Sequence, residues 1–330
     1  MRAPGFWRPG RPNALARALQ PIGALYGAVA ARRMARAGAR AAAPVVCVGN
    51  FVAGGAGKTP AAIALARMLI AQGRRVAFLS RGYGGERRVD PIQVDTNGHD
   101  ARTVGDEPLL LARVAPCWVG ADRVRSAARA VEAGADVLVL DDGLQNPALA
   151  KDLAFAVIDG GQRFGNGLCL PAGPLRAPVA AQAKHVQALI LIGGDEASAL
   201  AVSAAVPGKP ILRAGLEPDA FAAGSLIGRE VVAFAGIASP EKFYATLRRV
   251  GALVVATRSF PDHHVFTARE IRALFAESTR RGALLVTTEK DRARLPSRQA
   301  QGLLTLPVTL RFDEPETMRR LLAVALSRAG

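Results

Sequence analysis

Short runs of consecutive apolar residues recur along the chain, and longer stretches with a helical spacing of apolar positions separate them. Apolar runs of this length between turn signals are typical of strands that are buried on both faces. Five such runs lie within the first two thirds of the chain, at 45–48, 76–80, 137–140, 154–159 and 188–192. Because strands that alternate with helices form parallel sheets, the pattern predicts a doubly wound, mainly parallel α/β domain that binds ligands at the carboxyl ends of its strands.

A second group of apolar runs follows after about residue 208 and predicts a smaller α/β lobe. The runs are 231–234, 253–256 and 284–287. A length of 330 residues agrees with two domains, because a domain comprises about 150 residues. The predicted organisation is an N-terminal helix over 1–40, a core domain over 41–208 and the smaller lobe over 209–330.

The N-terminal segment predicts an amphipathic helix. Apolar residues recur there at steps of three and four, which places them on one stripe: Leu15, Leu19, Ile22, Tyr26 and Val29. Two interpretations stay open. The helix packs on the protein's own core with a solvated basic end, or it lies on an anionic membrane with its arginines at the headgroups. The longest apolar stretch, 21–31, covers about 11 residues, whereas a transmembrane helix needs about 20.

The positive charge is concentrated in the same part of the chain. Lys and Arg number 43 against 27 Asp and Glu, a net charge of +16, and residues 1–85 contain 13 basic residues and no acidic one. No aromatic interleaving or nucleic-acid motif accompanies the arginines, so nucleic acid is not predicted as a partner. The three cysteines, Cys47, Cys117 and Cys169, lie far apart, which argues against a disulfide scaffold and indicates a reducing cytosol.

A glycine-rich segment after the first predicted strand has the features of a phosphate-binding loop, or P-loop. Strand, glycine loop, Gly-Lys-Thr and helix follow one another in the order of a Walker A motif, although Val52 stands where that motif has its first glycine. Glycines let backbone N–H groups close around phosphate oxygens, and the helix N-terminus adds positive potential. The predicted nucleotide-binding residues are Gly54, Gly55, Ala56, Gly57, Lys58, Thr59 and Pro60.

Paired aspartates end another predicted strand about 80 residues later. Asp141 and Asp142 follow the run at 137–140, as in a Walker B element, where a carboxylate beside the P-loop holds Mg²⁺. A strand followed by Asp-Asp-Gly is by itself more often a turn. Together with the Lys58-Thr59 pair it predicts a metal site formed by Thr59, Asp141 and Asp142.

Two further segments are candidates for acid–base chemistry. Asp106 precedes an apolar run and is a candidate to accept a proton from an attacking hydroxyl, although Asp106 or Glu107 capping a helix with Pro108 in its first turn explains the pattern as well. His263 and His264 follow an aspartate, and a neighbouring carboxylate and imidazole can orient one another. A solvated loop is the alternative there.

Taken in order, these segments resemble the tetraacyldisaccharide 4′-kinases, the lipid A 4′-kinases of Gram-negative bacteria. The resemblance covers nearly the whole chain from about residue 20. Its motifs lie at 48–50, 54–60, 80–85, 104–108, 141–145, 164–167, 170–176, 262–264 and 288–291. Each motif is modest by itself, whereas their joint order is highly specific.

The resemblance implies ATP- and Mg²⁺-dependent transfer of the γ-phosphoryl group to the 4′-hydroxyl of a tetraacylated glucosamine disaccharide 1-phosphate, a lipid A precursor. It also implies a P-loop NTPase-like fold and a peripheral enzyme on the cytoplasmic face of the inner membrane, attached by its N-terminal helix. The resemblance also implies that Lys58 and Thr59 bind the phosphates and Mg²⁺, and that Asp141 and Asp142 hold the metal. No obligate protein partner is predicted.

The same resemblance assigns activation of the acceptor hydroxyl to Asp106 with one of the two histidines, of which we favour His263 over His264. The chain departs from the family pattern at two positions. Asn146 stands where the family commonly has His, and Ala177 stands where it commonly has Glu. We therefore predict no metal ligand near residue 177.

Two other functions compete with the kinase. A P-loop ATPase switch of the membrane- or DNA-partitioning type has a similar loop, but such proteins carry a lysine just before the paired glycines, where this chain has Ala53. A nucleic-acid-binding ATPase explains the arginines and leaves Asp106 and the paired histidines without a role.

Overall fold

The structure, a computed structural model, describes residues 4–55, 57–86 and 89–327. Ala56, one of the predicted loop residues, lies outside the described residues. The strands are β1 (Val45–Gly49), β2 (Val76–Ser80), β3 (Ile92–Gln93), β4 (Cys117–Val119), β5 (Val137–Asp141), β6 (Leu153–Asp159), β7 (Ala188–Ile192), β8 (Ile211–Pro218), β9 (Glu230–Ala235), β10 (Leu253–Ser259), β11 (Leu284–Thr287), β12 (Leu304–Thr305) and β13 (Val308–Phe312).

Helices cover and connect these strands. They are α1 (Ala14–Met34), α2 (Lys58–Ala71), α3 (Ala101–Val104), α4 (Asp106–Ala112), α5 (Arg123–Glu132), α6 (Val179–Ala183), α7 (Glu196–Ala205), α8 (Ala220–Gly224), α9 (Pro240–Arg249), α10 (Ala268–Arg280), α11 (Glu289–Ala293) and α12 (Pro315–Ser327). Short 3₁₀ turns lie at Gly5–Trp7 and Ser297–Ala300.

Nine strands form one large sheet in the order β13-β8-β7-β6-β1-β5-β2-β4-β3. The central strand β1 pairs in parallel with both β5 and β6. Val46 and Val48 pack into one apolar cluster, whereas Val45 and Cys47 pack into another, so helices cover both faces of this strand. The doubly wound, mainly parallel sheet predicted from the apolar runs is confirmed, and each of the five strands predicted for it is present within one residue of its predicted bounds.

A smaller sheet in the order β10-β9-β11-β12 forms the second lobe, and its described pairs are all parallel. The boundary predicted at 208/209 does not coincide with the division between the sheets. β8 pairs in parallel with β7, and β13 returns to pair antiparallel with β8, so both extend the large sheet. The small sheet therefore comes from a segment inserted between β8 and β13.

The N-terminal helix α1 packs on the large domain through its small residues. Its buried positions are Ala16, Gly23, Gly27 and Met34, and a Cβ on Gly23 would lie 2.7 Å from the carbonyl oxygen of Cys169. Only glycine permits that approach.

The predicted stripe of α1 points away from the protein: Leu15, Ile22, Tyr26 and Val29 are exposed, as is Leu25, while Leu19 is half-buried. The helix therefore has one face on the core and one apolar face outward, and contact of the outward face with a membrane stays a prediction. Within the described ranges, α1 and the other helices all fall short of the length and apolarity that crossing a bilayer requires.

Candidate active site

The P-loop connects β1 to α2 at the carboxyl edge of the large sheet. Gly57, the residue before α2, has a left-handed φ of 85°, and a Cβ there would lie 2.6 Å from the side chain of Ile192. Lys58 is buried and its Nζ donates to the carbonyl oxygen of Gly54 at 3.2 Å, which holds the ammonium group over the loop backbone. Pro60 lies in the first turn of α2, where proline is tolerated. The geometry is that of a phosphate-binding loop.

Asp141 at the end of β5 lies beside Thr59. Thr59 Oγ1 donates to Asp141 Oδ2 at 3.5 Å, and Asp141 Oδ1 is buried with no hydrogen-bond partner among the described residues. Burial, followed by the charges of Glu107 and Asp142, raises the pKa of Asp141 to about 7. An unpartnered buried carboxylate oxygen is costly, and a carboxylate with a threonine hydroxyl is a donor set that suits Mg²⁺. The residues present therefore fit the implied metal.

Asp142 is held differently from its neighbour. Arg176 binds both of its carboxylate oxygens, at 2.8 and 3.0 Å, and Lys58 Nζ lies 3.7 Å from Oδ2. Burial alone raises the pKa of Asp142, but Lys58 and Arg176 outweigh it and keep the pKa below its usual value. Thr59 and Asp141 are thus brought together as predicted, whereas Asp142 is engaged by the arginine of the 170–176 segment.

That segment also supports the P-loop backbone. Ala53 N donates to the carbonyl oxygen of Pro174 at 2.7 Å, and Arg176 N donates to that of Phe51 at 2.9 Å. Arg176 Nη1 reaches Gln145 Oε1 at 3.2 Å in addition to Asp142. The sequence placed 170–176 among the family motifs and did not indicate that it pairs with the P-loop.

Gln182 on α6 completes this arrangement and was missed by the sequence analysis. It is fully buried, and its Nε2 donates to the carbonyl oxygens of Phe51 and Ala177 at 3.1 and 2.6 Å. Its Oε1 accepts from Gln145 Nε2 at 2.8 Å, and that amide nitrogen also donates to Asn50 O at 2.7 Å. We call Asp142, Gln145, Arg176 and Gln182 the P-loop network. An amide in a short helix carries no sequence signal that distinguishes it from a surface glutamine.

Asp106 and His263 meet although 157 positions separate them in the sequence. Asp106 is the first residue of α4 and only 3% exposed, and its Oδ2 lies 3.3 Å from His263 Nδ1. The side chain of His263 is 30% exposed, so it is the accessible member of the pair. His264 instead lies 3.1 Å from Glu270 and stacks on Phe260. Of the two candidate histidines, His263 is therefore the one beside Asp106.

Cations of the small lobe surround Asp106. Arg294 donates to Asp106 Oδ2 through Nε, at 2.7 Å, and through Nη2, while Lys290 binds Glu107 at 2.7 Å. Burial by itself raises the pKa of Asp106, but the hydrogen bond to His263 and the charges of Lys290 and Arg294 hold it well below its usual range. Asp106 is consequently ionised throughout the physiological range.

The Asp106–His263 pair and the P-loop belong to the same region of the molecule. The loop after β9 brings Ala238 against the P-loop, since a Cβ on Gly55 would lie 3.8 Å from that of Ala238. Tyr83 contacts the ring of His263 edge-on, with 5.2 Å between centroids. Gly105 permits the loop at 82–85 to approach the start of α4. Its φ is 89°, and a Cβ there would lie 2.7 Å from the carbonyl oxygen of Tyr83.

The two departures from the family pattern have local structural explanations. Asn146 Oδ1 accepts from Ala148 N at 2.9 Å, so this side chain stabilises a turn. Ala177 is fully buried in an apolar cluster. Ala177 therefore has no polar side-chain group to offer to a metal.

Comparisons with known proteins point to one family. The family model described as Tetraacyldisaccharide-1-P 4'-kinase matches residues 15–326. The tetraacyldisaccharide 4′-kinase of Methylobacterium sp. (strain 4-46) is 56% identical over 332 residues, covering 100% of both chains, and that of Methylobacterium radiotolerans is 55% identical over 99% of each. A crystal structure of LpxK from Aquifex aeolicus in complex with ATP has a TM-score of 0.73 at 26% identity, over 94% of this chain and 99% of that one.

The P-loop network yields a prediction for Gln182. Replacing it by leucine keeps the volume but removes the donors to two buried carbonyl groups, so we expect Gln182→Leu to lower the free energy of unfolding by about 1–3 kcal/mol. Because the P-loop backbone loses a support, the KM for ATP should rise several-fold. Urea unfolding and steady-state kinetics measure the two effects. Gln72→Leu, at an exposed position after α2, is the control, and unchanged stability and KM in Gln182→Leu would contradict the role of the network.

Proposed function

The chain belongs to the tetraacyldisaccharide 4′-kinase family, and we propose that its phosphoryl transfer takes place between the P-loop and the Asp106–His263 pair. As a member of this family it is an ATP-dependent kinase of lipid A biosynthesis, which phosphorylates the 4′-hydroxyl of a tetraacylated glucosamine disaccharide 1-phosphate. The alternative of a P-loop ATPase switch is not favoured, because such a switch does not require a buried carboxylate paired with an accessible histidine.

The observation that carries the proposal is the contact between Asp106 and His263 near the P-loop. An acceptor hydroxyl must lose its proton as it attacks the γ-phosphorus, and a carboxylate–imidazole pair is suited to accept it. Asp106 keeps its negative charge because the hydrogen bond to His263 and the charges of Lys290 and Arg294 hold its pKa low, and a carboxylate beside the imidazole stabilises the protonated ring. We assign activation of the 4′-hydroxyl to Asp106 with His263.

The P-loop side of the site positions ATP. Lys58 is placed to move from the carbonyl oxygen of Gly54 to the phosphates, and the P-loop network holds the loop backbone in place. Thr59 and Asp141 would hold Mg²⁺, with Asp142 next to them under the control of Arg176. Bound there, the metal would neutralise charge on the β- and γ-phosphates.

We also infer that α1 attaches the enzyme to the cytoplasmic face of the inner membrane as a peripheral protein. The helix exposes Leu15, Ile22, Leu25 and Val29 on one side while its small residues pack on the core. Exposed arginines flank this face, and each contributes roughly 1 kcal/mol of attraction near an anionic surface. A tetraacylated substrate resides in the bilayer, so attachment there brings the active site to its acceptor.

A transfer assay tests the activity itself. Purified protein is given ATP labelled at the γ-phosphate together with the disaccharide 1-phosphate in detergent micelles, with DNA, or with no acceptor. We expect label in the lipid only. ATP hydrolysis that is independent of the lipid and leaves it unlabelled would refute the kinase assignment.

The paired histidines provide an internal control for the base. Asp106→Ala and His263→Ala should each lower kcat by about 10²-fold or more while ATP binding stays near normal, as expected for loss of general-base catalysis. His264→Ala should retain most of the activity, since that ring faces Glu270. Steady-state kinetics and nucleotide binding measure both. Near-normal turnover in folded Asp106→Ala would remove this residue from the mechanism.

Membrane attachment is tested with substitutions on the exposed face of α1. Ile22→Asp with Val29→Asp should weaken binding to anionic vesicles, and raised salt should weaken binding of the unmodified protein, because burial of apolar area and arginine attraction act together. Leu200→Asp on α7 with Phe221→Asp on α8 is the matched control, since it introduces the same two charges at exposed apolar positions away from α1. Vesicle sedimentation measures binding. Equal binding of both variants would exclude α1 as the anchor.

A further inference from the structure

We propose that Arg294 is a positioning residue for phosphoryl transfer, whose guanidinium fixes Asp106 against His263 and joins both to the small lobe. The inference rests on the proposed role of the Asp106–His263 pair. Arg294 belongs to none of the motifs that the sequence brought forward, since it lies three residues beyond the 288–291 segment and just after α11.

The guanidinium of Arg294 donates hydrogen bonds to three separate groups and lies beside a fourth. Nε and Nη2 both donate to Asp106 Oδ2, on the large domain. Nη1 donates to the carbonyl oxygen of Gly236 at 2.6 Å and to Asp291 Oδ1 at 2.9 Å, both in the small lobe. Nη2 also lies 3.5 Å from His263 Nδ1. The arginine is therefore next to both members of the pair.

The backbone of Gly236 links Arg294, His263 and Asp291. His263 N donates to the carbonyl oxygen of Gly236 at 3.2 Å, and that oxygen is the one that accepts from Arg294. Gly236 N in turn donates to both carboxylate oxygens of Asp291 at 3.1 Å. His263 has a left-handed φ of 57°, a conformation that a non-glycine residue keeps only when its surroundings hold it. Arg294 thus determines where Asp106 lies relative to a histidine that depends on the same carbonyl group.

The contacts are almost entirely shielded from water. The side chain of Arg294 is 6% exposed, between Asp106 at 3% and Asp291 at 0%. The other ionisable groups around Asp106 are His263, Lys290 and Glu107. With Arg294 removed, two buried carboxylates lose their shared cation, and an unpaired buried charge is costly. A lysine supplies the charge but cannot bridge these three groups, because its ammonium lacks the planar fork of donors.

This arrangement predicts a specific kinetic effect. Without the Arg294 guanidinium, the Asp106 carboxylate is no longer held in its orientation. A misplacement of about 1 Å in a catalytic group costs about 10²-fold in rate. Arg294 makes its hydrogen bonds to Asp106, Gly236, Asp291 and His263 and none to a described residue of the P-loop, so the affinity for ATP should be almost unaffected. A fall in kcat without a rise in the KM for ATP is therefore expected.

A double-mutant cycle on the full-length enzyme tests the proposal. Arg294→Gln should lower kcat by about 10²-fold with the KM for ATP within about twofold, and Arg294→Lys should recover only part of the loss. Because Arg294 acts through Asp106, the variant with both Asp106→Ala and Arg294→Gln should be within about twofold of Asp106→Ala alone. Arg292→Lys, two residues earlier and on α11, is the control and should behave as the unmodified protein.

The outcomes separate this inference from the proposed function. Near-normal kcat in Arg294→Gln, or losses that multiply in the double variant, would overturn the role of Arg294 while an inactive Asp106→Ala leaves the base assignment intact. If Asp106→Ala itself turns over normally, the base assignment has failed. If circular dichroism shows that Arg294→Gln does not fold, the same cycle is carried out with Arg294→Lys. Losses in kcat that multiply in that double variant would again contradict the proposal.

Discussion

The burial of carboxylates at one edge of the large sheet is the constraint on which the rest of this structure depends. A buried carboxylate must find a cation or several hydrogen-bond donors, and here the cations come from distant parts of the chain. Arg176 binds Asp142, and Arg294 binds Asp106. One oxygen of Asp141 has no partner among the described residues, which leaves it available to a divalent cation. Each pairing therefore stabilises the fold and also determines which part each carboxylate can take in the site.

The contact between the two lobes follows from the same constraint. Among the described residues, three pairs of a lysine or arginine with a carboxylate cross it, Lys242–Asp159, Lys290–Glu107 and Arg294–Asp106, and in each the cation comes from the small lobe. The Lys242 pair is largely exposed on its cationic side, so it contributes little, whereas the other two are shielded. Because the cation of each of these pairs comes from the small lobe and the carboxylate from the large domain, the pairs fix the position of the small lobe, which also supplies His263.

The basic residues of the N-terminal quarter lie in different environments. Lys58 lies in the P-loop, whereas the arginines on and after α1 are exposed beside an apolar face that the protein does not cover. The glycines of α1 explain how one helix has two apolar faces. Close packing on the core uses positions without side chains, so the larger residues remain on the opposite side, where a bilayer would meet them.

The sequence by itself determined the features that arise from neighbouring residues. Apolar runs gave the strands, the glycine pattern gave the P-loop with Lys58 and Thr59, and the order of motifs gave the family. The tertiary structure alone decided which distant segments meet. It added β8 and β13 to the large sheet, turned His263 and not His264 toward Asp106, and recruited Gln182 and Arg294. The physical reason is that strand order and buried polar pairing depend on contacts between residues far apart in the chain, on which local propensity and periodicity carry no information.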